Sequence, residues 1–267
     1  MRIKSCTRER SNNYNDMSVV VNFNEWGRMG NRMFQYAFGY ILAAKKSVNL
    51  YHDGLPNFNI QPNPYTGKLV NYINTGKYGH NKVDYKELIN TSNIVVVDSY
   101  LQKSLYYEPH RETLLHQFNI KQHESINKDK LVLHIRETDY LQINCFLGYD
   151  FYKRVIKESG YTNIVIVTDN STSETVQKLL AEGCKLNTEG IVNTFNVNSD
   201  DRAMIDFNTL LYSENIAISQ SSYSWWASFL GNHKNIYMPY CEGMWKLNPL
   251  EDDINLYLNS SNIIKIS

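Results

Sequence analysis

Short runs rich in Val and Ile alternate along this chain with longer stretches whose apolar residues recur at helical spacing. Residues 18–24 (SVVVNFN), 48–51, 93–98, 131–136 (LVLHIR), 163–168 (NIVIVT), 215–219 (NIAIS) and 235–238 (NIYM) read as strands. Residues 33–46, 105–116, 149–159, 170–182, 201–213, 223–230 and 249–258 read as helices, with Asn170 and Ser171 as caps for the fourth. Strands that alternate with helices predict βαβ units and parallel sheets, so the fold class is α/β. Residues 53–80, rich in Asn, Gly and Pro, read as a long loop of the kind that carries function. The polar stretch 121–130 (KQHESINKDK) reads as a linker between two halves. The expected organisation is a loose tail at 1–17, an N-terminal α/β domain at 18–124 and a C-terminal Rossmann-like domain at 125–267.

A chain of 267 residues is long enough to bury a core without staples. Its 27 Lys and Arg balance 27 Asp and Glu, so overall charge gives it no affinity for nucleic acid. Cys6, Cys145, Cys184 and Cys241 lie far apart, which argues against a zinc site and against a disulfide framework. The N-terminal residues are polar, and no stretch reaches the length of a membrane span. The expectation is a cytoplasmic protein with no membrane-spanning segment.

Three strand ends carry side chains suited to a ligand, which in open α/β sheets binds beyond the carboxyl ends. In His134-Ile135-Arg136-Glu137-Thr138-Asp139, alternation sends His134 and Arg136 to one face. An Arg fork there suits a phosphate. Ser219-Gln220-Ser221-Ser222-Tyr223-Ser224 leads from a strand into a helix, whose free N–H groups and dipole favour an anion. Asp169 and Asp206 are carboxylates able to accept from a ribose or a guanine edge. The turn Gly27-Arg28-Met29-Gly30-Asn31 also follows a strand and opens a helix, but it lacks the Gly-Lys-Ser/Thr of a Walker loop. There is no D-x-D and no G-x-S-x-G, and no His/Cys cluster has metal spacing.

Taken together, four blocks resemble the α-1,2-fucosyltransferase family (glycosyltransferase family 11-like). Residues 27–37 (GRMGNRMFQYA) are similar to its opening motif, GGLGNQMFQYA. Ser99-Tyr100-Leu101-Gln102-Lys103 with Tyr106-Tyr107 resembles its aromatic segment. His134 to Tyr140 resembles H-x-R-R-x-D-Y. Asp206-Phe207 through Ser221-Ser222-Tyr223-Ser224-Trp225-Trp226 resembles its D-F…N-S-S-F-S-W-W block. The order and spacing agree over about residues 18–245.

The resemblance implies a GT-B-like fold, with two Rossmann-like parallel-sheet domains facing a cleft. It implies inverting, metal-independent transfer of L-fucose from GDP-fucose to a hydroxyl, usually the 2-OH of a galactoside. The partners would be a GDP-sugar donor and an oligosaccharide or polysaccharide acceptor, with no cofactor. Arg136 would bind the β-phosphate, and His134 and Asp206 the guanine end. Ser221, Ser222 and the Tyr223 backbone would hold the phosphates, with Gly30 and Asn31 also at the donor. Asp139 and Glu137 are the candidates for a base. The acceptor would lie near Asn31, Gln35 and the 53–80 loop. Four positions depart from the family: Glu137 stands for an Arg, Arg28 for a Gly, Arg32 for a Gln and Ala227 for a Gly. Arg28 or Arg32 is expected to restore the charge lost at Glu137. The alternatives are a transferase for another nucleotide sugar, or a non-catalytic binder of nucleotide or glycan.

Overall fold

The branched apolar runs form buried strands, and the periodic stretches form the helices that cover them. A computed structural model describes residues 17–23, 27–68, 72–78, 85–90, 93–96, 99–121, 124–142, 146–188, 201–240 and 254–267. Most of the tail, together with Cys6, Cys145, Cys241, strand residues 24, 97 and 98, and 249–253 of the last expected helix, lies outside the described residues.

In the first half, β1 (Ser18–Val21) leads to α1 (Met29–Lys46), β2 (Asn49–His52), β3 (Tyr72–Asn74), α2 (Tyr85–Asn90), β4 (Asn93–Val96) and α3 (Arg111–Gln117). The strands form a parallel sheet in the order β2-β1-β4-β3. In the second half come β5 (Leu131–Ile135), α4 (Thr138–Gln142), α5 (Gly148–Ser159), β6 (Ile164–Thr168), α6 (Glu174–Ala181) and β7 (Lys185–Leu186). Then follow α7 (Arg202–Tyr212), β8 (Asn215–Ala217), α8 (Ser222–Leu230), β9 (Asn235–Pro239) and β10 (Ile263–Ile266). These strands form a six-stranded parallel sheet in the order β10-β9-β8-β5-β6-β7. The protein is therefore α/β with two parallel sheets.

Several local expectations are corrected. The 53–80 loop holds a 3-10 turn at Pro56–Phe58 and the strand β3, which pairs with β4 and was too short to stand out. Residues 104–110 form two 3-10 turns, the second with Pro109 near its start, and regular helix begins only at Arg111. Asn170 does not cap α6. Its side-chain amide oxygen accepts from the Thr172 N–H and hydroxyl in a local turn, and Ser173 caps the helix instead. Residues 254–258 are not helical: Asn255 bridges to Lys103. Within the stretch read as a linker, Ile126 forms a bridge with Ser213.

One apolar cluster joins the halves. Val19, Phe34 and Phe38 from the first half pack with Val132, Phe207, Trp225 and Trp226 from the second. Phe34 lies 4.9 Å from the Trp225 ring and 4.8 Å from that of Trp226. Both indole N–H groups are satisfied, Trp225 by the Leu256 carbonyl (2.7 Å) and Trp226 by that of Gly30 (3.0 Å). The Arg111 guanidinium donates to the carbonyls of Phe229, Leu230 and Gly231, which closes the carboxyl end of α8. A second cluster, built on Leu131, Leu133 and Ile135, lies on the opposite face of β5.

Candidate active site

In the second sheet the chain moves from β5 outward through β6 and β7, then returns to the other flank of β5 with β8. The seam between β5 and β8 is a topological switch point, where loops after adjacent strands diverge and leave a crevice. A cleft of about 650 Å³ opens there, lined by His134, Arg136, Asp139, Asp169, Arg202, Asp206, Ser221, Ser222 and Tyr223 from this half. Arg28, Met29, Gly30, Asn31 and Tyr100 line it from the first half. Of the residues the sequence nominates, the fold brings together His134, Arg136, Asp139, Asp206, Ser221, Ser222, Tyr223, Gly30 and Asn31.

Strand alternation places His134. Leu131, Leu133 and Ile135 face the second cluster, and Val132 and His134 face the other way. The His134 Nδ1 lies 2.7 Å from the Ser219 hydroxyl, and its ring stacks on Tyr223 at 5.4 Å. Burial first, and then the nearby Arg136 charge, push its pKa down to about 3. The folded protein therefore keeps this imidazole neutral while the unfolded chain protonates it near 6.5. Stability contributed by His134 is present above 6.5 and is lost as pH falls from there toward 3. His233, also pushed down by burial, acts in the same direction. Urea unfolding across pH is expected to show falling stability below neutrality, with a flatter acid limb in His134→Gln. An unchanged limb in that variant would contradict the assignment.

Arg136 lies just past β5 and is held from three sides. It pairs with Asp139 at 2.6 Å, forms a second ion pair with Asp169 and sits over the Tyr140 ring at 5.5 Å. Asp169 also accepts from the Glu137 N–H (3.1 Å) and the Thr138 hydroxyl, which ties the β5 turn to the end of β6. Burial raises the Asp169 pKa, but Thr138, Arg136 and the Glu137 N–H outweigh it and leave the carboxyl below its ordinary value.

Two helix N-termini meet in the cleft. Ser221 caps α8 by accepting from the Tyr223 N–H, whereas no side chain caps α1. A Cβ placed on Gly30 would fall 2.6 Å from the Ser222 hydroxyl and from the Tyr223 nitrogen, so the two first turns are nearly in contact. Only glycine permits this approach. Each helix presents free N–H groups and the positive end of its dipole to the same space.

On α7, Arg202 grips Asp206 at i,i+4 (2.7 Å), and the Asn187 amide donates to the same carboxylate (2.8 Å). Burial raises the Asp206 pKa despite these bonds. The cleft thus holds Arg28, Arg136 and Arg202 against Asp139, Asp169 and Asp206, with the imidazole neutral.

Glu137 is placed elsewhere. It is buried, does not line the cleft, and one of its carboxylate oxygens has no hydrogen-bond partner among the described residues. Burial first, and then the neighbouring Glu137, raise the pKa of Tyr152, which donates to the His134 carbonyl (2.9 Å). Glu137→Gln is expected to leave affinity for GDP, the nucleotide that the sequence resemblance implies, unchanged in a calorimetric titration; a large loss would put Glu137 back at the site. Arg28 lines the cleft and lies 4.0 Å from Asp139, whereas Arg32 lines a neighbouring pocket. Arg202 and Asn187 were not nominated. The R-x-x-x-D spacing of Arg202 and Asp206 was the available signal for the first, and nothing local marks the second.

Among the described residues, no group of three or more His, Cys, Asp or Glu is placed to hold a metal ion. No helix among them is long and apolar enough to cross a membrane. Cys184 is a free, buried thiol whose pKa burial pushes up.

No protein-family model matches the chain, and no curated protein matches it in sequence. Among solved structures, it is similar to NodZ α-1,6-fucosyltransferase soaked with GDP-fucose, at 12% identity and a TM-score of 0.46, covering 82% of this chain and 94% of that one. A mutant of Arabidopsis thaliana FUT1 in complex with GDP is similar at 10% identity and a TM-score of 0.45, over 83% of this chain and 70% of that one. A selenomethionine form of NodZ from Bradyrhizobium is similar at 11% identity and a TM-score of 0.44, over 82% and 93%.

Proposed function

We propose that this protein is a glycosyltransferase that moves L-fucose from GDP-fucose to a glycan hydroxyl, with inversion and without a metal. The observation that carries the proposal is the convergence of Arg136 and the first turns of α1 and α8 on one cleft. Such an array suits a diphosphate. The four ordered motifs supply the guanine nucleotide and the fucose.

In this scheme the bond from the sugar anomeric carbon to the β-phosphate oxygen breaks, and negative charge grows on the leaving GDP. Arg136 and the Ser222 N–H are fixed donors for that charge and need little reorganisation, and the Tyr223 N–H, held by the Ser221 hydroxyl in the free protein, exchanges that partner for a phosphate oxygen. Asp206 accepts from the guanine edge, and neutral His134 supports the same end from the β5 side. Asp139 takes the proton of the attacking hydroxyl. Its side chain is about half exposed at the cleft and is engaged by Arg136 in the free protein. An arriving diphosphate competes for that guanidinium and releases the carboxylate as the donor binds. A 2-OH of a galactoside is the acceptor hydroxyl that the resemblance favours.

Turnover of GDP-fucose, GDP-mannose and UDP-sugars in the presence of EDTA tests this. The expected result is release of fucose from GDP-fucose alone, accelerated by a galactoside acceptor. Preference for another nucleotide sugar would replace the donor. Saturable nucleotide binding without turnover would make the protein a non-catalytic binder.

A further inference from the structure

A second pocket, of about 420 Å³, adjoins the cleft and shares Arg28 and Met29 with it. Its other lining residues are Gly27, Arg32, Leu55, Pro56 and Asn57. It therefore lies between the open end of α1 and the turn after β2, on the first-half side of the reacting centre.

Its chemistry is one-sided. Arg28 and Arg32 both line it, and no carboxylate does among the described residues. The Asn57 amide is committed to Asp201 (2.8 Å), which also caps α7. The Arg32 guanidinium lies 5.8 Å from the Phe23 ring, and its buried Nε has no hydrogen-bond partner among the described residues. The guanidinium carries four further N–H donors, and Arg32 lines the pocket. In the donor cleft each arginine has a carboxylate near it; here Arg32 has none among the described residues. The uncapped N-terminus of α1 adds its positive end.

We propose that this pocket binds the acceptor through a negatively charged group, a uronate carboxylate or a sulfate ester, on the sugar beside the reacting hydroxyl. This names an acceptor class for the transfer proposed above and rests on that proposal. Arg32 is the specificity-determining residue, and Arg28 is shared between acceptor and donor. The motif that the opening block resembles carries Gly and Gln at these two positions, so both charges depart from it.

Calorimetric binding to the full chain, without nucleotide, tests it with three probes: a galacturonate disaccharide, a sulfated galactose disaccharide and their neutral galactose counterpart. The proposal expects one or both anionic probes to bind about tenfold tighter than the neutral one at low salt, with the advantage shrinking as salt rises. The better anionic probe identifies the carboxylate or the sulfate as the group. Arg32→Gln should remove the advantage, and Arg32→Lys, which keeps the charge, should retain part of it. Equal affinity for charged and neutral probes, no binding of any of them, or an advantage that survives in Arg32→Gln would each overturn the proposal. GDP titrated separately keeps the two proposals apart, because a failure of GDP to bind removes the donor assignment and leaves the disaccharide comparison readable.

Discussion

Arg136→Ala is expected to lower kcat at least about 100-fold, because a fixed donor to developing charge is worth roughly 3–4 kcal/mol. The surroundings make the loss larger than that of one hydrogen bond. Arg136 separates Asp139 from Asp169, and its removal leaves two carboxylates facing the incoming diphosphate with no cation between them. GDP affinity should therefore fall together with turnover. The fold should persist, since Arg136 lies outside both apolar clusters and the strand hydrogen bonds of β5 do not involve its side chain. Arg136→Lys should rescue only in part, because a point charge cannot reach Asp139, Asp169 and a phosphate as a planar fork does. Steady-state kinetics alongside circular dichroism check this. Near-normal turnover in Arg136→Ala would remove the residue from the site.

Gly30→Ala should damage stability and binding together. The added methyl would meet the Tyr223 nitrogen and the Ser222 carbonyl carbon at 2.6 and 2.7 Å. These are backbone atoms and cannot rotate away, so α1 and α8 must separate. Overpacking of this kind costs about 1–3 kcal/mol. The separation also pulls apart the two N-termini that are proposed to hold the diphosphate, and it strains the bond from Trp226 to the Gly30 carbonyl. GDP affinity should fall by about tenfold or more, equivalent to ~1.4 kcal/mol. Thermal melting and GDP titration of the one variant read both effects. A variant that melts and binds like the native protein would mean that the two helix ends do not act as a unit.

Much of this architecture is local and could be read from residues alone. The Val and Ile runs, the periodicity of α1, α5 and α7, and the Ser-rich entry to α8 each report their own structure. What is non-local could not be read. The order β7-β6-β5-β8-β9-β10 depends on strand pairing across long separations, and only that order puts His134 beside Ser219. The near contact of Gly30 with Tyr223 joins positions far apart in the chain, and the short strands β3, β7 and β10 draw their identity from partners. Glu137 is a different case: its nomination came from a motif position, and it lies past the end of β5, where only the folded turn shows that it is buried and does not line the cleft.

The central claim is that a nucleoside diphosphate sits where α1 and α8 meet. Amide hydrogen exchange with and without GDP, in EDTA, tests it most directly. Slowed exchange confined to residues 28–32, 136–140 and 220–224 is the predicted result. Saturable GDP binding with protection elsewhere, or no binding at all, would contradict it.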